Sequence, residues 1–201
     1  MKYYIIGGGT AAGKTTITEK LKELWLYKGY TSDIISVDMF YKTTGPTTDF
    51  KTYNFDLPSA LEVDLFYEKL LELYFYKKAY LPVYDFNSCK LEHDQDYVNK
   101  PEILVIEGIL IFEMLYNFKE YVSSATLAKF KLSMTEANEI IEGIIEGANK
   151  VFVTTDEDLE TDTKIRLHRK IERDIIERNR SSLDTIEMWN NNSYPAHFKY
   201  V

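Results

Sequence analysis

The chain has 201 residues, with 32 acidic and 24 basic side chains and a formal net charge of −8 when histidine is neutral. This acidic balance argues against a broad nucleic-acid-binding surface, and the 45 % hydrophobic and 28 % charged fractions exclude disorder and fibrous repeats. Cys89 is the only cysteine, which excludes an intramolecular disulfide and a multi-cysteine zinc site. The longest apolar stretch, 103–112, is about half of the roughly 20 residues that a membrane span needs, and no secretory or transit signal is predicted. We therefore expect a soluble, cytoplasmic domain.

The first predicted elements alternate between strand and helix. The apolar run 3–6 ends at the glycines 7–9, which predicts a buried strand that enters a glycine-rich turn. Helical spacing from Lys14 to about Gly29 and a second apolar run at 34–37 complete a strand–helix–strand unit. Two apolar strands that flank an amphipathic helix predict a parallel sheet. The predicted apolar face of the helix consists of Ile17, Leu21 and Leu24.

A long loop, a helix and a hairpin are predicted in the middle of the chain. Residues 38–58 are rich in Thr, Gly, Pro and Asp and show no strong periodicity, and a loop of that length in a compact domain is usually functional. Ser59 and Glu62 have the spacing of a capping box, which predicts that a helix begins there. A loop or hairpin is predicted around 80–99.

Two further strands enclose a segment that is rich in helix. The apolar runs 103–106 and 150–153 predict the third and fourth strands. The intervening segment 123–149 contains a second capping-box spacing, at Ser133 and Glu136, followed by an apolar stripe of helical period. The last two predicted helices extend from beyond Asp162 to Arg178 and from about Ser182 to Trp189.

A phosphate-binding motif lies between the first strand and the first helix. Gly8, Gly13, Lys14 and Thr15 fit the pattern G-x-x-x-x-G-K-[ST]. In such a loop the backbone N–H groups surround the phosphates, the lysine reaches between them, and the threonine hydroxyl binds Mg²⁺. We expect ATP or GTP with Mg²⁺ as the ligand, the alternative being a glycine-rich turn that binds nothing. The expected nucleotide contacts are Gly8, Gly9, Thr10, Ala11, Ala12, Gly13, Lys14, Thr15 and Thr16.

Three carboxylates follow the ends of predicted strands. Asp38, Glu107 and Asp156 come after the second, third and fourth strands, and the carboxyl ends of parallel strands open into one crevice. Phosphoryl transfer needs a group that orients and deprotonates the attacking hydroxyl, and it needs Mg²⁺ beside the phosphates. We predict that Asp38, which opens the long loop, is the base and that Glu107 holds Mg²⁺ through water. Capping of a loop or helix is the alternative for all three and the preferred interpretation of Asp156.

Six segments of the chain carry motifs that occur together in one family. The segments are 8–16, 37–42, 54–58, 82–86, 106–110 and 173–180. In this order they resemble the uridine kinases (uridine–cytidine kinases). The resemblance implies a three-layer α/β P-loop kinase fold with a central parallel sheet flanked by helices. It also implies transfer of the γ-phosphate of ATP to the 5′-hydroxyl of uridine or cytidine.

The resemblance implies a single kinase domain over residues 1–201. A substrate loop and hairpin are expected at about 38–100 and a helical lid at about 160–180. The segment at about 123–149 is longer than the family connection and is expected to be an added helical segment. An interface that the family forms through this region need not be kept in this chain. The sequence leaves open whether the protein forms a homo-oligomer.

The resemblance also assigns roles to individual residues. Asp38 is the implied base, and it forms the catalytic set with Lys14 and with Arg173, which bridges toward the acceptor. Arg178 and Arg180 are expected near the ATP phosphates, because a guanidinium fork can hold two phosphate oxygens. The implied metal ligands are Thr15 and Glu107. The implied acceptor contacts are Asp38, Tyr41, Phe55, Asp56 (to the ribose), Tyr84, Phe86, Cys89, His93 and Arg173.

Departures from the family pattern leave alternatives open. Cys89 stands where the family has a His that recognises the pyrimidine edge, and His93 is a candidate substitute. A related P-loop kinase for nicotinamide riboside, phosphoribulose or pantothenate is the nearest alternative, and a non-catalytic nucleotide sensor is the rival from another class. Neither nucleic acid nor membrane is an expected partner.

The basic side chains of Lys164, Arg166 and Arg169 are interpreted as a solvated helix face.

Overall fold

The computed structural model describes residues 1–45, 48 and 53–201, so part of the predicted loop 38–58 lies outside the described residues. Within these described residues there are six strands, which are β1 (Lys2–Gly7), β2 (Ser32–Ser36), β3 (Lys78–Asp85), β4 (Lys90–Asn99), β5 (Ile103–Glu107) and β6 (Asn149–Phe152). The helices are α1 (Lys14–Tyr27), α2 (Val63–Tyr76), α3 (Ile111–Tyr116), α4 (Phe118–Tyr121), α5 (Ser124–Lys129), α6 (Met134–Gly147), α7 (Leu159–Arg178), α8 (Ser182–Met188) and α9 (Tyr194–Tyr200).

In the part of the chain that the structure describes, four parallel strands form the central sheet in the order β2-β5-β1-β6. All four were predicted from apolar runs. Parallel alignment brings the carboxyl ends of β1, β2 and β5 to the same edge of the sheet. The phosphate loop follows β1, Asp38 comes just after β2, and Glu107 is the last residue of β5.

Helices cover both faces of the sheet, as the predicted three-layer fold requires. Successive side chains of a strand point to opposite faces. Accordingly, Ile5 packs in a core with α2 and α6, whereas its neighbour Ile6 packs in a second core with Trp25 of α1. The β3–β4 hairpin confirms the predicted hairpin and lies apart as a small antiparallel sheet.

The structure corrects two predictions about helix faces and starts. Of the predicted face of α1, Leu21 is partly buried and packs against the second core, as predicted. Ile17 and Leu24, however, are 37 % and 45 % exposed, whereas Thr18 and Trp25 are buried. The buried face is turned by one residue because the large Trp25 ring packs against Tyr4 in β1, at 4.7 Å between centroids. Helix α2 begins at Val63 without a side-chain cap. The Ser59 capping box is therefore wrong.

The second capping box and the late helices are largely confirmed. The Ser133 hydroxyl accepts from the N–H of Glu136, and the Glu136 carboxylate accepts from the N–H of Ser133. The predicted charged helix corresponds to α7. The last predicted helix ends earlier than expected, at Met188, and is followed by a wide π-helical turn, Trp189–Ser193, and by α9. No helix within the described ranges is long and apolar enough to cross a membrane.

Candidate active site

The turn between β1 and α1 has the geometry of an anion-binding loop. Gly13, at the start of α1, has a φ of 100°, which favours glycine. A Cβ on Gly9 would overlap the guanidinium of Arg166, so the loop lies directly against helix α7. Lys14 is buried, and its Nζ donates to the carbonyl oxygens of Gly8 and Gly9 at 3.0 and 3.1 Å. The loop therefore presents a cation and a helix N-terminus together, which suits a phosphate chain.

Two of the three predicted carboxylates lie beside this loop. Glu107 is 3 % exposed, and burial together with the nearby Asp38 raises the pKa of its carboxyl. Burial lowers the pKa of Lys14, and the negative charges of Glu107 and Asp38 oppose that shift. Asp156 is exposed, and its carboxylate accepts a hydrogen bond from the N–H of Asp158 at 2.9 Å. Asp156 therefore caps the turn that precedes α7, in agreement with the preferred interpretation of this residue.

The oxygen atoms at this edge fit a magnesium ion. Thr15 and Glu107 both line the cleft beside the phosphate loop. Within residues 1–45, 48 and 53–201, no cluster of three or more His, Cys, Asp or Glu side chains could hold a metal ion. Mg²⁺ is commonly bound by one or two protein groups together with substrate phosphates and water. The residues present fit that mode of binding.

Two adjoining cavities open from the carboxyl edge of the sheet. Asp38, Arg173 and Arg178 line both of them. The nucleotide cleft is lined by residues 10–16 of the phosphate loop, Glu107, Val153, Thr154, Thr155, Arg169 and parts of the hairpin. The second cavity, called the acceptor pocket below, is further lined by Thr10, Tyr41, Phe55, Asp56, Tyr84, Phe86, Cys89, Ile109, Lys170, Arg180, Met188, Asn192 and Ser193.

Aromatic rings form one side of the acceptor pocket. Tyr41 is 5 % exposed and lies at their centre. Its ring centroid is 5.6 Å from that of Phe55, 5.4 Å from that of Tyr84 and 6.0 Å from that of Phe86. The Phe86 ring is also covered by the guanidinium of Arg178, at 4.3 Å from the centroid. Such rings offer flat apolar surfaces to a planar ligand.

The two candidate pyrimidine-edge residues are placed differently. Cys89 lines the acceptor pocket, has a φ of 54°, and directs its Sγ to the carbonyl oxygen of Phe86 at 3.5 Å. His93 lies exposed on β4 and lines neither cavity. The structure therefore brings Cys89 into the site and leaves His93 outside it.

The end of α7 gathers four cations around one carboxylate. Asp174 has no exposed side-chain surface. Its oxygens lie 3.3 Å from Lys170 Nζ, 2.9 Å from Arg173, 3.5 Å from Arg178 and 3.4 Å from Arg180. Burial alone would raise the pKa of Asp174, but Lys170, Arg173 and Arg178 outweigh it and lower the pKa below its ordinary value. Arg180 lines the acceptor pocket, and its predicted contact with ATP stays a prediction.

Arg166 corrects the prediction of a solvated face. Its side chain is almost fully buried, and its Nε donates to Asp162 Oδ2 at 2.6 Å. The guanidinium also lies 5.4 Å from the centroid of the Trp189 ring. Lys164 is exposed, as expected for a solvated face. Arg166 is buried because the helix lies against the phosphate loop at Gly9, which has no side chain to hold the guanidinium away.

Several residues of the site were missed by the sequence analysis. The buried stripe of α7 is charged and consists of Asp162, Arg166, Lys170 and Asp174, four residues apart. Opposite charges at this spacing, on a helix without an apolar stripe, are the signal that indicates burial here. Nothing in the sequence singled out the pocket residues of the carboxyl-terminal helices, Met188, Asn192 and Ser193.

Comparison with known protein families assigns the chain to one of them. The Phosphoribulokinase / Uridine kinase family matches residues 5–122, more than half of the chain. The chain belongs to this family. It is therefore a P-loop kinase of small molecules, and membership implies ATP binding.

Relatives and solved structures resemble nearly the whole chain. It is 29 % identical over 198 residues to uridine kinase of Bacillus thuringiensis (strain Al Hakam), covering 98 % of this chain and 77 % of that protein. It is also 29 % identical to uridine-cytidine kinase A of Dictyostelium discoideum, but spans only 32 % of that protein's length. The fold matches a proposed fructose transport system kinase from Silicibacter sp. TM1040 with a TM-score of 0.67 at 12 % identity, covering 98 % and 82 % of the two chains. At that identity the likeness shows the fold alone.

Proposed function

We propose that this kinase transfers the γ-phosphate of ATP to the 5′-hydroxyl of a pyrimidine ribonucleoside. The observation that carries the proposal is the junction of the two cavities, where Asp38 and Arg173 line both the nucleotide cleft and the acceptor pocket. A donor in one cavity and an acceptor in the other would meet at these residues. The 29 % identical uridine kinase supports the choice of acceptor.

The phosphate loop would hold the triphosphate. Residues 10–16 line the nucleotide cleft, and their backbone N–H groups would bind the phosphate oxygens. Lys14 would exchange its bonds to Gly8 and Gly9 for phosphate oxygens. Thr15 and Glu107 would hold Mg²⁺, the latter through water. When bound, the ion neutralises charge on the β- and γ-phosphates.

Asp38 would act as the base at the junction. Its carboxylate accepts the proton of the acceptor hydroxyl while that oxygen bonds to the γ-phosphorus and the bond to the ADP oxygen breaks. Arg173 and Arg178 line the same junction and would bond the oxygens of the phosphoryl group in transit. Because these cations are held around Asp174, they need little reorganisation when the charge moves.

The acceptor pocket suits a flat ring joined to a sugar. Tyr41, Phe55, Tyr84 and Phe86 supply faces and edges for the pyrimidine. Asp56, which lines the same pocket, would accept hydrogen bonds from the ribose hydroxyls.

A nucleoside panel with a base variant tests the proposal. We expect ADP release with uridine or cytidine, and we expect Asp38→Asn to lower kcat at least about 10³-fold while ATP binding changes less than about threefold. Asp156→Asn is the matched control, because it removes an exposed carboxylate at a neighbouring strand end and should leave turnover intact. Turnover in Asp38→Asn equal to that of the parent would remove Asp38 as the base.

A second acceptor class has a specific observation in its favour. Lys170, Arg173, Arg178 and Arg180 all line the acceptor pocket, against Asp38 and Asp56. Such a pocket would also suit an anionic alcohol of the phosphoribulose or pantothenate type. The panel therefore includes both, together with nicotinamide riboside. Preference for an anionic alcohol would replace the nucleoside, and ATP binding without any turnover would favour a nucleotide sensor.

A further inference from the structure

The carboxyl-terminal helices form one wall of the acceptor pocket. Helix α8 continues through the turn Trp189–Ser193 into α9, since Trp189 and Tyr194 both have right-handed helical dihedral angles. Pro195 explains the wide turn. It has no N–H to donate, and its ring clashes with the carbonyl four residues earlier, so the regular helical ladder cannot continue. Wide π-helical turns of this kind frequently lie at functional sites.

This turn directs two polar side chains into the pocket. Asn192 and Ser193 are only 7 % and 5 % exposed, yet both line the cavity. The Ser193 hydroxyl donates to Asp56 Oδ2 at 2.5 Å, and Asn192 Nδ2 donates to the carbonyl oxygen of Tyr53 at 3.4 Å. The turn is thus bonded to the segment that carries Asp56.

The pair formed by Ser193 and Asp56 has unused hydrogen-bonding capacity. A carboxylate can accept about four hydrogen bonds, and a serine hydroxyl can accept as well as donate. Two neighbouring hydroxyls of a ligand could therefore bond Asp56 and Ser193 at once. A ligand without one of them would leave a polar group short of a partner in a confined pocket, which is an effective means of rejection.

We propose that Ser193 is a specificity-determining residue and that, with Asp56, it selects acceptors that carry two hydroxyls on neighbouring carbons. The inference rests on the proposed kinase function, because it takes this cavity as the acceptor site. It assigns to the last helices a part in substrate choice and none in the transfer step.

Kinetics with paired acceptors test the assignment. The acceptor of highest kcat/KM in the panel is compared with its analogue that lacks one hydroxyl, such as a ribonucleoside with its 2′-deoxy form. We expect Ser193→Ala to raise the acceptor KM about tenfold and to reduce the preference for the diol about tenfold, the effect of one charged hydrogen bond. The KM for ATP and kcat should change less than about twofold. Ser193→Thr, which keeps a hydroxyl, should retain most of the preference.

A buried hydroxyl on the same helical wall supplies the control. Thr185 of α8 is fully buried, and its Oγ1 has no hydrogen-bond partner among the described residues. Thr185→Val should therefore leave the acceptor KM and the diol preference unchanged. An equal effect of Thr185→Val would mean that disturbance of the wall is sufficient, and it would overturn the assignment.

Other outcomes separate this inference from the proposed function. Unchanged preference in Ser193→Ala, or a gain in kcat/KM for every acceptor, overturns the role of Ser193 while nucleoside turnover stands. A parent enzyme that prefers a non-nucleoside diol overturns the proposed acceptor, and Ser193 is then judged on that diol. A preferred acceptor without two neighbouring hydroxyls, or no turnover at all, overturns both.

Discussion

Two buried ionic networks lie on opposite halves of helix α7. In the first half, Asp162 bonds Arg166 at 2.6 Å and also accepts from the N–H and hydroxyl of Thr155 at 2.7 and 2.8 Å. In the second half, Asp174 lies within 3.5 Å of four cations. The first network thus has one charge of each sign. The second has four positive charges and one negative charge, an excess of three.

The balance of charge distinguishes a structural network from a binding network. The first network lies between the phosphate loop and the Trp189 ring, and its two charges balance, so it has no excess charge to attract a ligand. The four cations of the second network line the acceptor pocket, and Arg173 and Arg178 also line the nucleotide cleft, where phosphate can neutralise the excess charge. One carboxylate is sufficient to hold the four cations in place, but not to neutralise them.

The largest expected effect is on catalysis, in the second network. Arg173→Ala should lower kcat/KM about 10³-fold, because it removes the guanidinium that Asp174 holds and that lines both cavities. Steady-state kinetics measure the loss, and the thermal midpoint should hardly change because Asp174 keeps three cations. Arg173→Lys should recover little, since an ammonium cannot hold two oxygens in one plane. A loss below about tenfold would contradict a binding role for the network.

The next effect is on stability, in the first network. Arg166→Met should lower the free energy of unfolding by about 3 kcal/mol, because it leaves the buried Asp162 without its countercharge. Urea unfolding measures the change. Lys164→Met is the control, because Lys164 and its partner Glu160 are both exposed, and it should leave the unfolding midpoint unchanged. Equal losses in the two variants would show that the Arg166 pair is no more structural than a surface pair.

The smallest effect concerns the pH dependence of stability. Because the pKa of Asp174 is lowered in the folded state, its contribution is present above its unfolded pKa of about 3.9 and is lost as the pH falls through the folded pKa. Asp174→Asn should therefore lower the free energy of unfolding by about 2 kcal/mol at pH 7. The difference in that free energy between the variant and the parent should shrink as the pH falls below about 4. Urea unfolding at pH 7 and pH 3 measures it.

Inorganic phosphate provides a control on the same variant. Phosphate should stabilise the parent by binding the excess cations, and it should stabilise Asp174→Asn at least as much. If the free energies of unfolding of the parent and of Asp174→Asn differ by the same amount at pH 7 and pH 3, the role assigned to the carboxylate is contradicted.

The sequence predicted the strands and the phosphate loop, because these patterns are local. Strand β5, for example, is the apolar run 103–106 and is buried along its whole length, and the phosphate loop needs its glycines in one short stretch. The prediction was wrong where packing between elements decides the result. The packing of Trp25 decided which face of α1 is buried, and the contact with Gly9 decided that Arg166 is buried.

By itself the sequence determined the fold class, the phosphate loop and the two carboxylates at the carboxyl ends of β2 and β5. These depend on residue type and on order along the chain, and a parallel sheet brings strand ends together whatever the connections between them. Only the tertiary structure decided which charges are paired and which are in excess, and that Ser193 meets Asp56 across 137 residues of sequence. The spacing of residues along one helix can be read from the sequence. Which residue of a distant segment contacts them is decided by packing.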